Sequence, residues 1–212
     1  MITFRYASDQ SLMVYLGDRV NLETHHRVLK LLRLLENEPI PGVRNLHPAY
    51  HSILIVFDPV DQEHSNIERT VAGYVERLDS VTLPAPRVVE IPVRYEGPDL
   101  NDVAAFHHIT PARVIELHSS ASYIVYFVGF VPGFAYLGGL PPELATPRLE
   151  SPRKKVPKGS VAIGGSHTGV YPFETPGGWR LIGDTPLEIF DPEREELSRL
   201  AIGDVVKFIP IP

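Results

Sequence analysis

A cluster of basic residues in the second half of the chain is the first candidate for chemistry. Its members lie among prolines and glycines: Arg148, Arg153, Lys154, Lys155 and Lys158. Arginine presents a planar fork of N–H donors that fits a carboxylate or a phosphate, and a glycine-rich turn nearby can add backbone donors. We therefore predict an anion site formed by Arg148, Arg153 and Lys155. The alternatives are a solvated loop and a surface that docks a partner.

Aromatic residues and glycines surround this cluster. A flat ring beside bare backbone can form the wall of a pocket for a small ring-shaped ligand. The predicted wall consists of Phe134, Tyr136, Pro176, Gly177, Gly178 and Trp179. The alternative is that these rings fill the core and that the Pro-Gly turns only direct them there.

The nine histidines do not form a metal motif, and the chain has no cysteine. His47 and His51 are four residues apart, but Pro48 lies between them on an expected strand and turn, so they do not share a helix face. No glutamate follows His47 as a zinc protease requires. His118 precedes an apolar strand, and we assign it a structural role. We predict no metal site and name no catalytic residue.

The composition is that of an ordinary globular protein. The 212 residues are 43% hydrophobic and 22% charged, with a net charge of -6. A negative chain lacks the basic face that several phosphates require, which argues against nucleic acid as a partner. No apolar stretch is long enough to span a membrane, and the first residues do not resemble a signal peptide. We expect a cytoplasmic protein with no membrane partner.

The first part of the chain predicts two helices against an antiparallel sheet. Residues 2–6 and 11–16 alternate as a hairpin, and strands follow at 43–46 and 52–57, the latter central in its sheet. A helix capped by Asn21 precedes this strand pair, and a helix over residues 64–78 follows it. We predict an α+β fold whose first domain, residues 1–84, is a ferredoxin-like sandwich.

Pro84-Ala85-Pro86 is a stiff segment that predicts the boundary to a second domain, residues 85–212. A strand over 88–95 opens it, and two helices follow, the first opened by Asp99 and the second by Thr110-Pro111. From Tyr123 onward short strands alternate with Gly and Pro turns, and the last strand spans 204–209. This pattern is typical of a barrel or a sandwich.

Three motifs carry a family resemblance that extends over essentially the whole chain: GFVPGFAYLGGL at 129–140, LATPR to PRKKVPKGSVAIGG at 144–165, and HTGVYPFETPGGWRLIG at 167–183. They closely resemble the allophanate hydrolase subunit 1 family, which includes the B subunit of the ATP-dependent 5-oxoprolinase and Kip-type inhibitors of a sensor histidine kinase. The resemblance implies an α+β domain followed by a cyclophilin-like β-barrel domain. It also marks His167, Thr168 and Tyr171 as ligand contacts. His167 and Thr175 depart from the Gln and Ser that are common in the family.

The resemblance implies a hydrolase subunit that is inactive or nearly so alone. Its complex would open 5-oxo-L-proline to L-glutamate, using ATP with Mg²⁺ to activate the lactam, and this chain alone is not expected to hold the nucleotide. The implied partners are a relative of the C subunit, from the allophanate hydrolase subunit 2 family, and an A subunit of the LamB/YcsF family. The main alternative is inhibition of histidine kinase autophosphorylation. Prolyl isomerisation and a role beside an allophanate-degrading enzyme are weaker alternatives.

Overall fold

The structure is a computed structural model that describes residues 2–212. The chain divides into two compact units, Met1–Ala85 and Pro86–Pro212. Among the described residues, no helix combines the length and the apolar character that crossing a membrane requires.

The first unit is a four-stranded antiparallel sheet with two helices. Its elements are β1 (Thr3–Ser8), β2 (Ser11–Tyr15), α1 (Leu22–Asn37), β3 (Val43–Pro48), β4 (Ser52–Phe57) and α2 (His64–Glu76). The strand order is β1-β2-β4-β3. The predicted hairpin, both helices and the inner position of β4 are therefore confirmed.

The ferredoxin-like character of this unit is not confirmed. A ferredoxin-like domain runs β-α-β-β-α-β, whereas the elements here run β-β-α-β-β-α. The predicted elements already ran in this order, so the hairpin before the first helix, where a ferredoxin-like domain has a single strand, was the sign against that fold.

Helix α1 shows how the sequence forms these elements. Asn21 is the N-cap, and its Oδ1 accepts the backbone N–H of Thr24 at 2.8 Å. Val28, Leu31 and Leu35 recur at helical spacing and are almost fully buried. The cap and the apolar face together fix the start of the helix and the side that packs on the sheet.

The second unit contains nine strands and two helices. They are β5 (Val88–Val93), α3 (Leu100–Phe106), α4 (Pro111–Ser120), β6 (Tyr123–Val128), β7 (Ala135–Gly138), β8 (Arg153–Val156), β9 (Ser160–Gly164), β10 (His167–Val170), β11 (Thr175–Gly177), β12 (Arg180–Asp184) and β13 (Val205–Pro210). Strands β8 and β11 pair separately from the rest.

The other seven strands form a nearly closed barrel. Their order is β12-β9-β10-β7-β6-β13-β5. The two outer strands meet just beyond β5, where the backbone N–H of Arg94 donates to the carbonyl of Asp184 at 2.8 Å and the reverse bond is 2.9 Å. Strand β5 pairs in parallel with β13, so the first and last strands of the unit lie side by side. A barrel, one of the two predicted architectures, is therefore observed.

The helix α3 begins and ends differently from a simple capped helix. Asp99 precedes it as predicted, but its side chain makes no capping hydrogen bond to the described residues of the helix. At the other end His108 has a positive φ of 55°. Its N–H bonds to the carbonyl of Ala105, and the next N–H, from Ile109, bonds to that of Ala104. These two bonds form a Schellman motif, in which glycine usually holds the left-handed position.

Candidate functional site

One irregular segment, residues 146–149, places Arg148 between two parts of the barrel unit. On one side the backbone N–H of Gly165, in the turn between β9 and β10, donates to the carbonyl of Thr146 at 2.8 Å. On the other side the N–H of Leu149 donates to the carbonyl of Gly178 at 2.7 Å. These backbone bonds hold the segment beside Trp179 and the start of β10.

Arg148 lies over the ring of Trp179, with the Cζ atom 5.7 Å from the ring centroid. A guanidinium at this distance is attracted by the π face. The residue is exposed, and within residues 2–212 no carboxylate forms an ion pair with it, in contrast to Arg153 and Lys155. The stacked face leaves the N–H groups at the guanidinium edge able to bind an anion.

His167, the first residue of β10, is within the electrostatic influence of Arg148. Partial burial and the guanidinium charge both lower the pKa of His167 below its ordinary value. The imidazole is therefore neutral at pH 7, with one nitrogen that donates and one that accepts. Its Nδ1 lies 3.3 Å from the Ser166 hydroxyl. Two predicted anion contacts, Arg148 and His167, are thus close together.

Arg153 combines a structural ion pair with one unsatisfied donor. Its Nη2 donates to Oδ1 of Asp99 at 2.7 Å, and the Asp99 side chain is only 5% exposed. The other carboxylate oxygen of Asp99 accepts the backbone N–H of Leu181 at 2.6 Å. Nη1 of Arg153 is buried and has no hydrogen-bond partner among the described residues. A buried donor without a partner costs free energy, so a group that pairs with it would stabilise this position.

The predicted aromatic wall is largely a packed cluster. Phe134, Tyr171 and Trp179 are almost fully buried, and Tyr136 is half-buried against them. The Phe134 ring lies edge-on to Trp179 and Tyr171, with centroids 5.3 and 5.2 Å apart. These residues therefore fill a second small core, and of these four rings only Tyr136 is partly exposed.

Glycines make room for these rings. A Cβ atom on Gly164 would lie 2.5 Å from the Trp179 ring. A Cβ atom on Gly177 would lie 2.4 Å from the Tyr171 hydroxyl oxygen. Both distances are far below van der Waals contact. The backbone at Gly177 therefore lies close to the Tyr171 ring, and the backbone at Gly164 lies close to the Trp179 ring.

Thr168 lies in the barrel core, where its hydroxyl is already used. The hydroxyl donates to the carbonyl of Ala162 at 2.9 Å, so it accepts from Nε2–H of His118 at 2.8 Å. Nδ1 of that imidazole then accepts the Tyr95 hydroxyl at 2.8 Å. Burial lowers the pKa of His118 from 6.5 to about 3, which keeps it neutral. The structural assignment of His118 agrees with this network, and ligand contact by Thr168 stays a prediction.

The remaining predicted residues lie at the surface. Lys155 forms an ion pair of 2.9 Å with Glu174, and both side chains are mostly exposed. Pro176 is exposed, whereas Gly178 is half-buried and next to Pro152. The described residues show no ion pair or hydrogen bond that would join Lys155 or Pro176 to the Arg148 side chain. Their roles in binding stay predictions. The charge of Lys155 is paired with that of Glu174.

The glycine-rich sequence at 164–169 does not form a phosphate-binding loop. Gly164 and His167 are paired residues at the ends of β9 and β10, so the glycine-rich sequence is a hairpin turn. A phosphate-binding loop instead connects a strand to a helix. No three His, Asp or Glu side chains within residues 2–212 are grouped closely enough to hold a metal ion.

Sequence reasoning missed two residues near the site. Asp99 was expected to cap α3 but instead holds Arg153 and β12, and nothing local in the sequence indicates this because the partners are 54 and 82 residues away. Phe130 adjoins the aromatic cluster and has a positive φ of 72°. The apolar sequence Val-Gly-Phe-Val-Pro at 128–132, where a hairpin normally has polar turn residues, was a signal that could have found it.

Comparisons with known proteins agree with the motifs. The model of the carboxyltransferase domain, subdomains C and D, matches residues 2–200. The B subunit of 5-oxoprolinase from Escherichia coli O157:H7 is 43% identical over 95% of this chain and 93% of its own length. The B subunit of 5-oxoprolinase from Bacillus subtilis is 37% identical over 99% of this chain and 95% of its own. The resemblance stated from the sequence is confirmed.

A solved structure shows a similar fold. The crystal structure of TTHA0988 superposes with a TM-score of 0.85 at 36% sequence identity, covering 96% of this chain. The match spans only 40% of that chain. It therefore supports the fold over nearly all of this chain, whereas the rest of TTHA0988 has no counterpart here.

Proposed function

The chain belongs to the family of the carboxyltransferase domain, subdomains C and D, and on that premise we propose that it is the B subunit of a 5-oxoprolinase complex. The observation that carries the proposal is full-length similarity to two proteins that bear this name. The names of these two relatives do not favour the alternative, inhibition of a histidine kinase. The complex is a hydrolase that opens 5-oxo-L-proline to L-glutamate, and this chain is inactive alone.

The geometry around Arg148 fits the chemistry of this substrate. 5-Oxoproline is a small planar lactam with one carboxylate. The guanidinium edge of Arg148 binds the carboxylate. Nη1 of Arg153, which protein atoms cover in this structure, adds a second charge-assisted donor when the ligand binds. The partly exposed ring of Tyr136 contacts the flat lactam ring. The imidazole of His167, beside Arg148, hydrogen-bonds the lactam.

The chemical step requires groups from the rest of the complex. In ring opening, the lactam C–N bond breaks, a water oxygen adds to the carbonyl carbon, and the nitrogen receives a proton. A lactam is stable, so we propose that ATP with Mg²⁺, bound elsewhere in the complex, transfers its γ-phosphoryl group to the carbonyl oxygen and leaves ADP. After water has added to the carbon, inorganic phosphate leaves as the carboxylate of glutamate forms. The partners are a relative of the C subunit and an A subunit, and the complex is cytoplasmic. This chain binds and orients the substrate.

Reconstitution tests this function. Glutamate release from 5-oxo-L-proline with ATP and Mg²⁺ is measured for the chain alone, for its mixture with the C-type partner, and for the mixture of all three proteins. We expect glutamate only from the full mixture, and none when this chain is omitted. Unchanged glutamate release without this chain, or none from a complex shown to be assembled by gel filtration, would contradict the proposal.

A further inference from the structure

Phe130 is a strained and exposed aromatic residue at the tip of the β6–β7 hairpin. Its side chain is 60% exposed, and its φ of 72° lies in the left-handed region. Among residues 2–212, His108 is the only other non-glycine residue with a positive φ. A bulky residue in this region is unfavourable because its Cβ approaches the backbone.

The positive φ angles of His108 and Phe130 have different causes. His108 ends a helix in a Schellman motif, which requires the left-handed position. Phe130 ends no helix. Its loop is fixed at both sides instead, since the N–H of Gly129 donates to the carbonyl of Phe134 at 2.9 Å and the N–H of Phe134 donates to that of Val131 at 3.1 Å. The loop therefore holds the Phe130 ring outward in a defined place, and such imposed strain is typical of ligand contacts.

The ring of Phe130 adjoins the aromatic cluster on which Arg148 lies. It lies edge-on to Phe134 with the centroids 5.6 Å apart. Phe134 in turn contacts Trp179, over which Arg148 lies. Phe130 is thus an exposed end of the same aromatic cluster that carries the guanidinium. No charged residue interrupts the tip, residues 128–132.

We propose that Phe130 is a specificity-determining contact of this site, which packs its ring against the apolar face of a small planar lactam whose carboxylate Arg148 binds. The inference rests on the proposed function and deepens it. A ring held in place by the backbone loses little freedom on binding, so it can discriminate between lactams of different ring size.

The test uses the reconstituted three-protein complex and two substrates, 5-oxo-L-proline and its six-membered homologue 6-oxopiperidine-2-carboxylate. Phe130→Gly removes the ring and relieves the strain, whereas Phe130→Tyr keeps both. His108→Gly is the matched control, because it relieves a positive φ at an exposed residue outside the site. The readouts are kcat and KM for both substrates, assembly by gel filtration, and the thermal unfolding midpoint.

We expect Phe130→Gly to raise the KM for 5-oxo-L-proline about 10-fold or more with little change in kcat. The ratio of kcat/KM between the two substrates should shift toward the larger ring. The unfolding midpoint should not fall, because relief of strain offsets the lost contact with Phe134. His108→Gly should keep the wild-type KM and selectivity, and Phe130→Tyr should stay closer to the wild type in both than Phe130→Gly does.

Two results would overturn the inference while leaving the proposed function intact. One is an unchanged KM and selectivity in Phe130→Gly. The other is loss of assembly in that variant, which would place the ring against another protein of the complex. Absence of glutamate from the assembled wild-type complex would instead overturn the proposed function, and this inference with it.

Discussion

Arg148 and Arg153, which the sequence predicts to have the same role, have different surroundings. Arg148 is exposed over Trp179 with no carboxylate partner among the described residues, whereas Arg153 is 28% exposed and paired with the buried Asp99. The first is available to a ligand. The second also supports the fold, because Asp99 in turn holds the backbone of β12.

Removal of Arg153 should therefore cost stability as well as binding. Arg153→Ala leaves the Asp99 carboxylate buried without its cation, and we expect the free energy of unfolding to fall by about 3 kcal/mol. This loss is at the lower end of the range for breaking a buried ion pair, because the Arg153 side chain is partly exposed. Urea denaturation measures the loss. Lys155→Ala removes an exposed ion pair and should leave stability nearly unchanged, and an equal loss in both variants would contradict the assignment.

His118 should make stability depend on pH. Burial lowers its pKa from 6.5 to about 3, so below pH 6.5 the unfolded chain takes up a proton that the folded chain does not. The stability associated with neutral His118 is complete above pH 6.5 and falls with decreasing pH, by up to about 1.4 kcal/mol per pH unit. Urea denaturation between pH 7.5 and 4.5 measures this dependence.

The comparison variants for this prediction are His118→Gln and His108→Gln. His118→Gln should be less stable than the wild type at pH 7, because the bonds to Tyr95 and Thr168 are disturbed. Its deficit should shrink as the pH falls, since it has no imidazole to titrate. His108→Gln, which removes an exposed imidazole, should parallel the wild type. A deficit for His118→Gln that is constant with pH would contradict the account.

Sequence patterns predicted single residues well only where the signal is local. The caps Asn21 and Thr110 depend on N–H groups three residues away, and both are confirmed. Asp99 is also a residue type that favours the position before a helix, yet its carboxylate bonds to partners far along the chain. Local propensity contains no information about such partners, so the bonds of Asp99 could not be predicted.

At the scale of elements, glycines in β9 and β11 decide how closely the strands approach the aromatic cluster. Gly164→Ala would place a Cβ atom 2.5 Å from the Trp179 ring. We expect a loss of about 1–3 kcal/mol from overpacking and a shift in the emission of Trp179, the one tryptophan of the chain. Fluorescence spectra and urea denaturation measure both effects.

Gly73 is the control position for the Gly164→Ala test. It lies exposed in helix α2, and a Cβ atom there would meet nothing within 4 Å. Gly73→Ala should therefore raise stability by about 0.5–1 kcal/mol, because alanine loses less backbone freedom in a helix. Wild-type stability and emission in Gly164→Ala would show that the ring does not lie against this strand.

The elements themselves were largely predictable, and their pairing was not. Periodicity and turn residues located the strands β4 and β13 and the helix α1 to within a few residues. The parallel pairing of β5 with β13 joins segments that are 117 residues apart at Val88 and Val205. The local pattern of short strands and turns left a barrel and a sandwich open, and only the family resemblance favoured the barrel.

At the scale of the whole molecule, two compact units are joined by a short segment without helix or strand. Residues 81–87 contain two prolines and are mostly exposed. We predict that this segment separates domains that remain folded after cleavage. Limited digestion with thermolysin should cut first near Leu83 and leave two stable fragments, identified by mass spectrometry. First cuts within the barrel strands would contradict the prediction.

The most direct test of the central claim is the KM for 5-oxo-L-proline of the reconstituted complex that contains Arg148→Ala. We expect the KM to increase about 10-fold or more, because a charge-assisted bond to the carboxylate is lost. Assembly and the unfolding midpoint should be unchanged. Arg113→Ala, which removes an exposed arginine paired with Glu116 on helix α4, should keep the wild-type KM. Equal KM values for both variants would show that Arg148 does not bind the substrate carboxylate.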